Sequence, residues 1–195
     1  MSLTKWSIDH AHSEITFKVK HLMITTVTGR FKEYSAELET EGDDFHSAKK
    51  IEFLADISSI DTGNEQRNAH LRSSDFFNVE ENPKLHFSGT KYEGDGEEGK
   101  LYGNLTIAGI TKPLVLDVEF GGIVKDPWGG ERAGFNIKGK LSRKDFGMTY
   151  NAALEAGGVV VGDEVKINAE VELVKQAAEK DVDNASKKDV ELEQA

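Results

Sequence analysis

The sequence predicts an all-β fold: a closed antiparallel barrel of about eight strands, with one short helix near its mouth. Three observations predict it. Eight stretches of five to nine residues alternate apolar and polar side chains and keep their charges on one face. The opposite faces carry Glu, Lys, Asp, Thr and Asn throughout, with almost no second apolar set. Only one segment of the body reads as a helix. Side chains on a strand change sides at every residue, so a period of two marks a strand with one dry and one wet face. Rolling such a sheet into a barrel hides the dry face and removes both open edges, which a sandwich does less completely.

Trp6 to Asp9 is a short first run, followed by Glu14 to Lys20, where Ile15, Phe17 and Val19 share a face. A turn at Leu22 to Thr26 leads to Tyr34, Ala36 and Leu38 in phase. Phe31 is out of phase with them, which predicts a bulge or bend near Lys32 or Glu33. Ile51, Phe53, Ala55 and Ile57 form the next set, and Leu85, Phe87 and Gly89 the one after. Between them, Asn64 to Arg72 is the helix: Asn64 suits the cap of the first turn and Glu65 the positive end of the dipole. Leu71, Phe76 and Phe77 then tuck beneath it as a lid. Four more sets follow: Leu101 to Ile107, Leu114 to Phe120, Phe135 to Leu141 and Val165 to Leu173. Gly94 to Gly99 and Ala108 to Pro113 read as hairpin connections, the second with Pro113 at a strand start.

One barrel domain therefore covers residues 1–175. Residues 176–195, rich in Ala, Glu, Lys and Asp, read as an acidic solvated tail, disordered or partly helical.

With 35 acidic against 24 basic residues and a formal charge of -11, the chain is a poor partner for nucleic acid, whose recognition rests on cationic contacts. The absence of cysteine excludes disulfides and thiolate metal sites. Met1 to Asp9 has no signal-peptide pattern and no stretch is long enough to span a bilayer, so a cytoplasmic protein is expected.

An eight-stranded barrel either packs solid or holds one small ligand. Gly89, Gly103 and Gly139 fall on the inward phase, where missing side chains leave room or relieve bends. The expected lining is Phe17, Val19, Phe53, Phe87, Leu105, Leu116, Phe135, Ile137 and Leu141, with Phe76, Phe77, Phe146 and Met148 at the mouth. Such a wall suits a long apolar chain, because each buried methylene contributes about 0.8 kcal/mol.

The stretches from Trp6 to His21, Val27 to Phe31, Ser59 to Thr62, His70 to Phe77, Gly103 to Pro113 and Ser142 to Gly147 together resemble the YceI-like family, in the family's order. The match runs from about Trp6 to Lys175. The resemblance implies an extended, lipocalin-like barrel whose elongated pocket binds polyisoprenoids, isoprenoid quinones or fatty-acid derivatives. It also implies frequent homodimers and, for many members, export. Asn68 and Asn78 stand where the family pattern has aspartates, which changes hydrogen bonding at the lid.

Catalytic chemistry is weakly represented. His10 and His12, two apart on an extended strand, share a face, and His21 is a further imidazole, yet no third ligand and no HExxH pattern completes a metal site. His86, out of phase with Leu85 and Phe87, is expected to face solvent. Asp145-Phe146-Gly147 copies the kinase magnesium motif without the rest of that fold and reads as a turn. Arg143 is expected to pair with Asp145 or cap loops; the functional alternative is contact with a ligand's polar head. Two functions follow: a module that binds or carries an amphiphilic lipid without turnover and without a cofactor, or an enzyme on such a lipid using His12, His21 or Arg143 at the mouth.

Overall fold

The computed structural model describes residues 3–95, 97–152 and 159–177. Eleven strands follow in chain order: β1 (Leu3–Ile8), β2 (Glu14–His21), β3 (Thr25–Phe31), β4 (Tyr34–Glu41), β5 (Lys50–Asp56), β6 (Ile60–Asp61), β7 (Lys84–Asp95), β8 (Glu98–Ile107), β9 (Ile110–Lys125), β10 (Glu131–Ser142) and β11 (Val161–Lys175). The helix α1 spans Glu65–Arg72 and lies between β6 and β7. Every pairing is antiparallel, and β1 against β11 closes a ring of eight strands, β1-β4-β5-β7-β8-β9-β10-β11.

The remaining three strands prolong the ring at one end. β2 continues β1 along the same side of β11: Ile8 faces Leu173 and Glu14 faces Glu170. Similarly, β3 lies on β2 and β4 on β1, so the chain bends between them at Lys32 and Glu33, as the phase break at Phe31 predicts. β6 pairs with β3 beyond a 3-10 turn at Ile57–Ser59. Beside β6 the wall is completed by α1. Asn64 caps it through Oδ1, which accepts from Arg67 N at 2.9 Å.

Three connections differ from the sequence reading. Gly94 and Gly99, expected in the β7–β8 connection, pair with each other inside the two strands. The β8–β9 turn is only Ala108 and Gly109, both at positive φ (49° and 74°), and Pro113 lies inside β9 opposite Asn104. The β9–β10 register reaches only Asp117, so the missing amide of Pro113 falls where β9 has no neighbour on that side. The β2–β3 turn is tighter than expected, with Leu22 and Met23 at φ 52° and 60°. Of the expected tail, Gln176 continues the sheet, donating from N to Lys5 O at 2.8 Å, while 178–195 lie outside the described residues.

The core has two clusters, one at each end of the tube. Near α1 it gathers Phe31, Ile57, Phe77, Phe87, Leu105, Leu116, Phe146 and Met148. At the other end it gathers Trp6, Leu38, Phe45, Ala133 and Leu173. Trp6 is 1% exposed and donates Nε1–H to Thr40 Oγ1 at 3.0 Å, so its one polar atom is satisfied. Among the described residues no helix is long and apolar enough to cross a membrane.

Candidate functional site

Between the two clusters the barrel keeps a cavity of about 500 Å³. Its wall is the in-phase set of the strands: Phe17 and Val19 on β2, Phe53 on β5, Phe87 on β7, Leu105 on β8, Leu116 on β9, and Phe135, Ile137 and Leu141 on β10. β11 adds Val165, Ile167 and Ala169. A register slip of one residue on any strand would turn this face outward, so the apolar alternation itself fixes the cavity. Phe45, which precedes β5 in a 3-10 turn, closes the far end, with ring centroids 5.0 Å from Trp6, 5.3 Å from Phe120 and 5.0 Å from Phe135.

At the α1 end the wall comes from loops. Phe76 and Phe77 follow the helix and Met148 follows the 3-10 turn Arg143–Phe146, and all three line the cavity. Phe146 does not: it is 3% exposed and packed in the core behind the wall, because the 3-10 turn ending at Gly147 (φ 75°) directs it inward. His70, Phe76 and Tyr150 form a ring cluster at this rim, with centroids 4.8–5.3 Å apart.

Arg143 reaches the wall but is committed to structure. Its Nε donates to Gly162 O (2.9 Å), its Nη1 to Met148 O (2.6 Å) and Tyr150 O (2.8 Å), and its Nη2 to Val161 O (3.3 Å) and Asp163 Oδ1 (3.2 Å). It therefore caps loops and pairs with Asp163, not with Asp145. All five N–H groups are used. Asp163 is held below the usual carboxylate range by Lys144 foremost, with Arg143 adding to it.

The inward glycines do not create the empty space. A methyl group on Gly103 would lie 2.3 Å from the Phe87 ring, one on Gly139 2.4 Å from Leu116, and one on Gly89 2.7 Å from Ile51. Each glycine is a floor on which a neighbouring large side chain lies. The cavity survives because the barrel is wider than its paired side chains can fill.

The histidines are dispersed. His10 and His12 sit in the turn between β1 and β2, not on an extended strand. His10 stacks on Tyr34 at 4.8 Å and His12 bonds Asp9 at 3.0 Å, whereas His21 lies at the end of β2 on the cavity wall. His86 points outward and bonds Glu52, whose other oxygen accepts from Ser88 Oγ. Asp9, His12 and Glu172 form the one metal-like cluster among the described residues, yet Arg132 already bonds two of its three members. That guanidinium donates to Asp9 Oδ2 (2.6 Å), Asp126 Oδ2 (3.0 Å) and Glu172. The hydrogen bond with His12 and then that from Arg132 hold Asp9 well below the usual carboxylate range. The cluster staples the β1–β2 turn to β10 and β11 on the outside of the barrel.

Sequence periodicity missed the residues contributed by loops and helix. Phe45 is a lone aromatic in a polar loop, and that isolation was its only signal. Arg67, His70 and Leu71, at spacings of three and four on α1, share one helix face and line the cavity, a signal the sequence did contain.

The comparisons agree with this architecture. The YceI-like domain model matches residues 6–173. A UPF0312 protein of Staphylococcus epidermidis is 43% identical over 171 residues, 87% of this chain and 97% of its own length. One of Staphylococcus aureus is 40% identical over the same shares. The crystal structure of a Campylobacter jejuni YceI protein superposes with a TM-score of 0.70 at 38% identity, over 87% of this chain and 97% of that one. A polyisoprenoid binding domain from Saccharophagus degradans shares the fold, with a TM-score of 0.61 at 15% identity over 86% and 97% of the two chains. Matched over nearly its whole body in motif order, sequence and barrel topology, the chain belongs to the YceI-like family.

Proposed function

We propose that the protein binds and carries an amphiphilic lipid, a polyisoprenoid, isoprenoid quinone or fatty-acid derivative, without transforming it. The carrying observation is the apolar cavity of about 500 Å³ running between the two core clusters. At about 30 Å³ per group, the share of one water in the liquid, that volume takes a chain of roughly 17 methylenes. Burying 15 of them contributes on the order of 10 kcal/mol before the cost of association is subtracted. The family membership and the polyisoprenoid-binding fold neighbour support the same reading. Of the groups a turnover reading would use, Arg143 spends its donors on loop carbonyls and Asp163, and His12 lies in the exposed β1–β2 turn, which leaves His21 on the wall without either as a partner.

Native mass spectrometry of the purified full chain, followed by organic extraction, tests the proposal. A co-purifying prenyl or acyl species, released on extraction, is expected. A protein that emerges empty and takes up no prenyl or acyl compound on titration would refute it. The same reading expects a cytoplasmic homodimer, to be checked by cell fractionation and light scattering.

A further inference from the structure

The helix face that closes the cavity carries one cation without a counter-charge. Arg67, His70 and Leu71 stand three and four residues apart, on one side of α1, and all border the cavity, His70 and Leu71 half-buried and Arg67 exposed at the rim. Leu71 extends the apolar lining. Arg67 does something different. Its Nε donates to Thr62 Oγ1 at 2.8 Å and its Nη2 to Thr62 O at 2.7 Å. The Thr62 hydroxyl in turn donates to Asn68 Oδ1 at 2.7 Å, and Thr62 and Asn68 are 8% and 4% exposed. The guanidinium is thus anchored to a buried, electrically neutral pair.

The chain has five arginines. Arg30 faces Glu14 and Asp61, Arg72 faces Glu65, Arg132 faces Asp9, Asp126 and Glu172, and Arg143 faces Asp163. Among the described arginines Arg67 alone pairs with no carboxylate, in a chain where acids outnumber bases 35 to 24. The acids nearest in sequence are engaged elsewhere: Glu65 by Arg72, Asp61 by Arg30 and Lys32, and Asp75 by His70 Nε2 at 2.9 Å.

We propose that Arg67 is the head-group receptor of the cavity and that the preferred ligand is an apolar chain ending in an oxyanion, a carboxylate or a phosphate. A guanidinium presents its donors in a planar fork that matches both groups. With Nε–H and one Nη2–H fixed on Thr62, the second Nη2–H and the Nη1 amine remain as a two-donor fork for the ligand, and the chain behind the head enters the tube past Leu71 and Phe76. This assignment rests on the carrier reading and adds the chemistry of the head.

The test measures displacement of the neutral fluorophore N-phenyl-1-naphthylamine from the full chain at low salt. Two pairs of competitors are compared, palmitate with hexadecanol and farnesyl monophosphate with farnesol. At least one anion is expected to bind about tenfold more tightly than its alcohol, and which pair shows the gap tells a fatty acid from a prenyl phosphate. Arg67→Gln should erase the preference and leave the alcohols unchanged. Asn68→Asp, which keeps an acceptor for Thr62 and sets a carboxylate across the Thr62 hydroxyl from the guanidinium, should do the same. Equal affinity for anion and alcohol in the wild type, or an Arg67→Gln loss shared equally by both, overturns the assignment while leaving the carrier intact. If no chain compound binds at all, the carrier reading falls and this one with it.

Discussion

Replacing Ile137 by aspartate sets a carboxyl group on the cavity wall while leaving the rest of the barrel in place. Ile137 lies on β10 between Val118 and Ala169, and its side chain lines the cavity. Losing the buried aliphatic group costs about 2–3 kcal/mol, within the ~5–15 kcal/mol stability of a domain, so the variant should fold. The apolar wall sets the carboxyl's pKa at or above its ordinary value of about 4. A hydrocarbon chain packed against it forces the neutral form. Each pH unit above that pKa then costs about 1.4 kcal/mol, so at pH 7 lipid should bind up to about a thousandfold more weakly than to the wild type. The deficit should shrink about tenfold per pH unit as the pH is lowered toward 5, because protonation is then largely complete before the lipid arrives. Fluorophore displacement across pH 5–7.5, with Ile137→Val as the fold control, measures this slope. Unchanged affinity, or a loss that does not vary with pH, would refute the inward placement of Ile137 and the apolar path.

Three further outcomes are expected. Arg143→Ala should destabilise the protein by about 3–5 kcal/mol in urea unfolding, because it strands buried carbonyls at Gly162 and Met148 and releases the Tyr150 carbonyl; a loss below about 1 kcal/mol would show that these loops do not depend on it. Gly103→Ala, whose methyl would meet the Phe87 ring, should cost about 1–3 kcal/mol and lower Tm, whereas Gly134→Ala, with open space above it, should cost less. The depressed carboxyls of Asp9 and Asp126 stabilise the fold at neutral pH, and that contribution is lost as the pH falls below the ordinary carboxylate range toward their folded values. Arg132→Met should therefore flatten the acid limb of a stability profile measured from pH 6 to pH 2, and an unchanged limb would rule out this origin.

Much of the wall was legible in the sequence because alternation is a local signal. Phe17, Phe53, Phe87, Leu105, Leu116 and Ile137 each sit in a run whose polar partners mark the other face, and all line the cavity. Phe146 belonged to no such run, and the turn around Gly147 decided that it packs behind the wall. Arg143 was visible as a cation near the mouth, but its role depends on where residues 148–163 return past it, which no spacing specifies. His10 and His12 look like strand neighbours until the β1–β2 turn takes them off the ladder.

By itself the sequence determined the all-β barrel, the inward face of its eight alternating runs, the bend at Lys32 and Glu33 and the capped helix, since periods, caps and phase breaks are written within a few residues of one another. Only the tertiary structure decided that β1 closes on β11, that the inward glycines support neighbouring rings instead of opening space, and that Arg67 faces the cavity with no acid beside it. Those outcomes depend on which distant segments meet once the sheet curls, and a one-dimensional pattern does not carry the curvature.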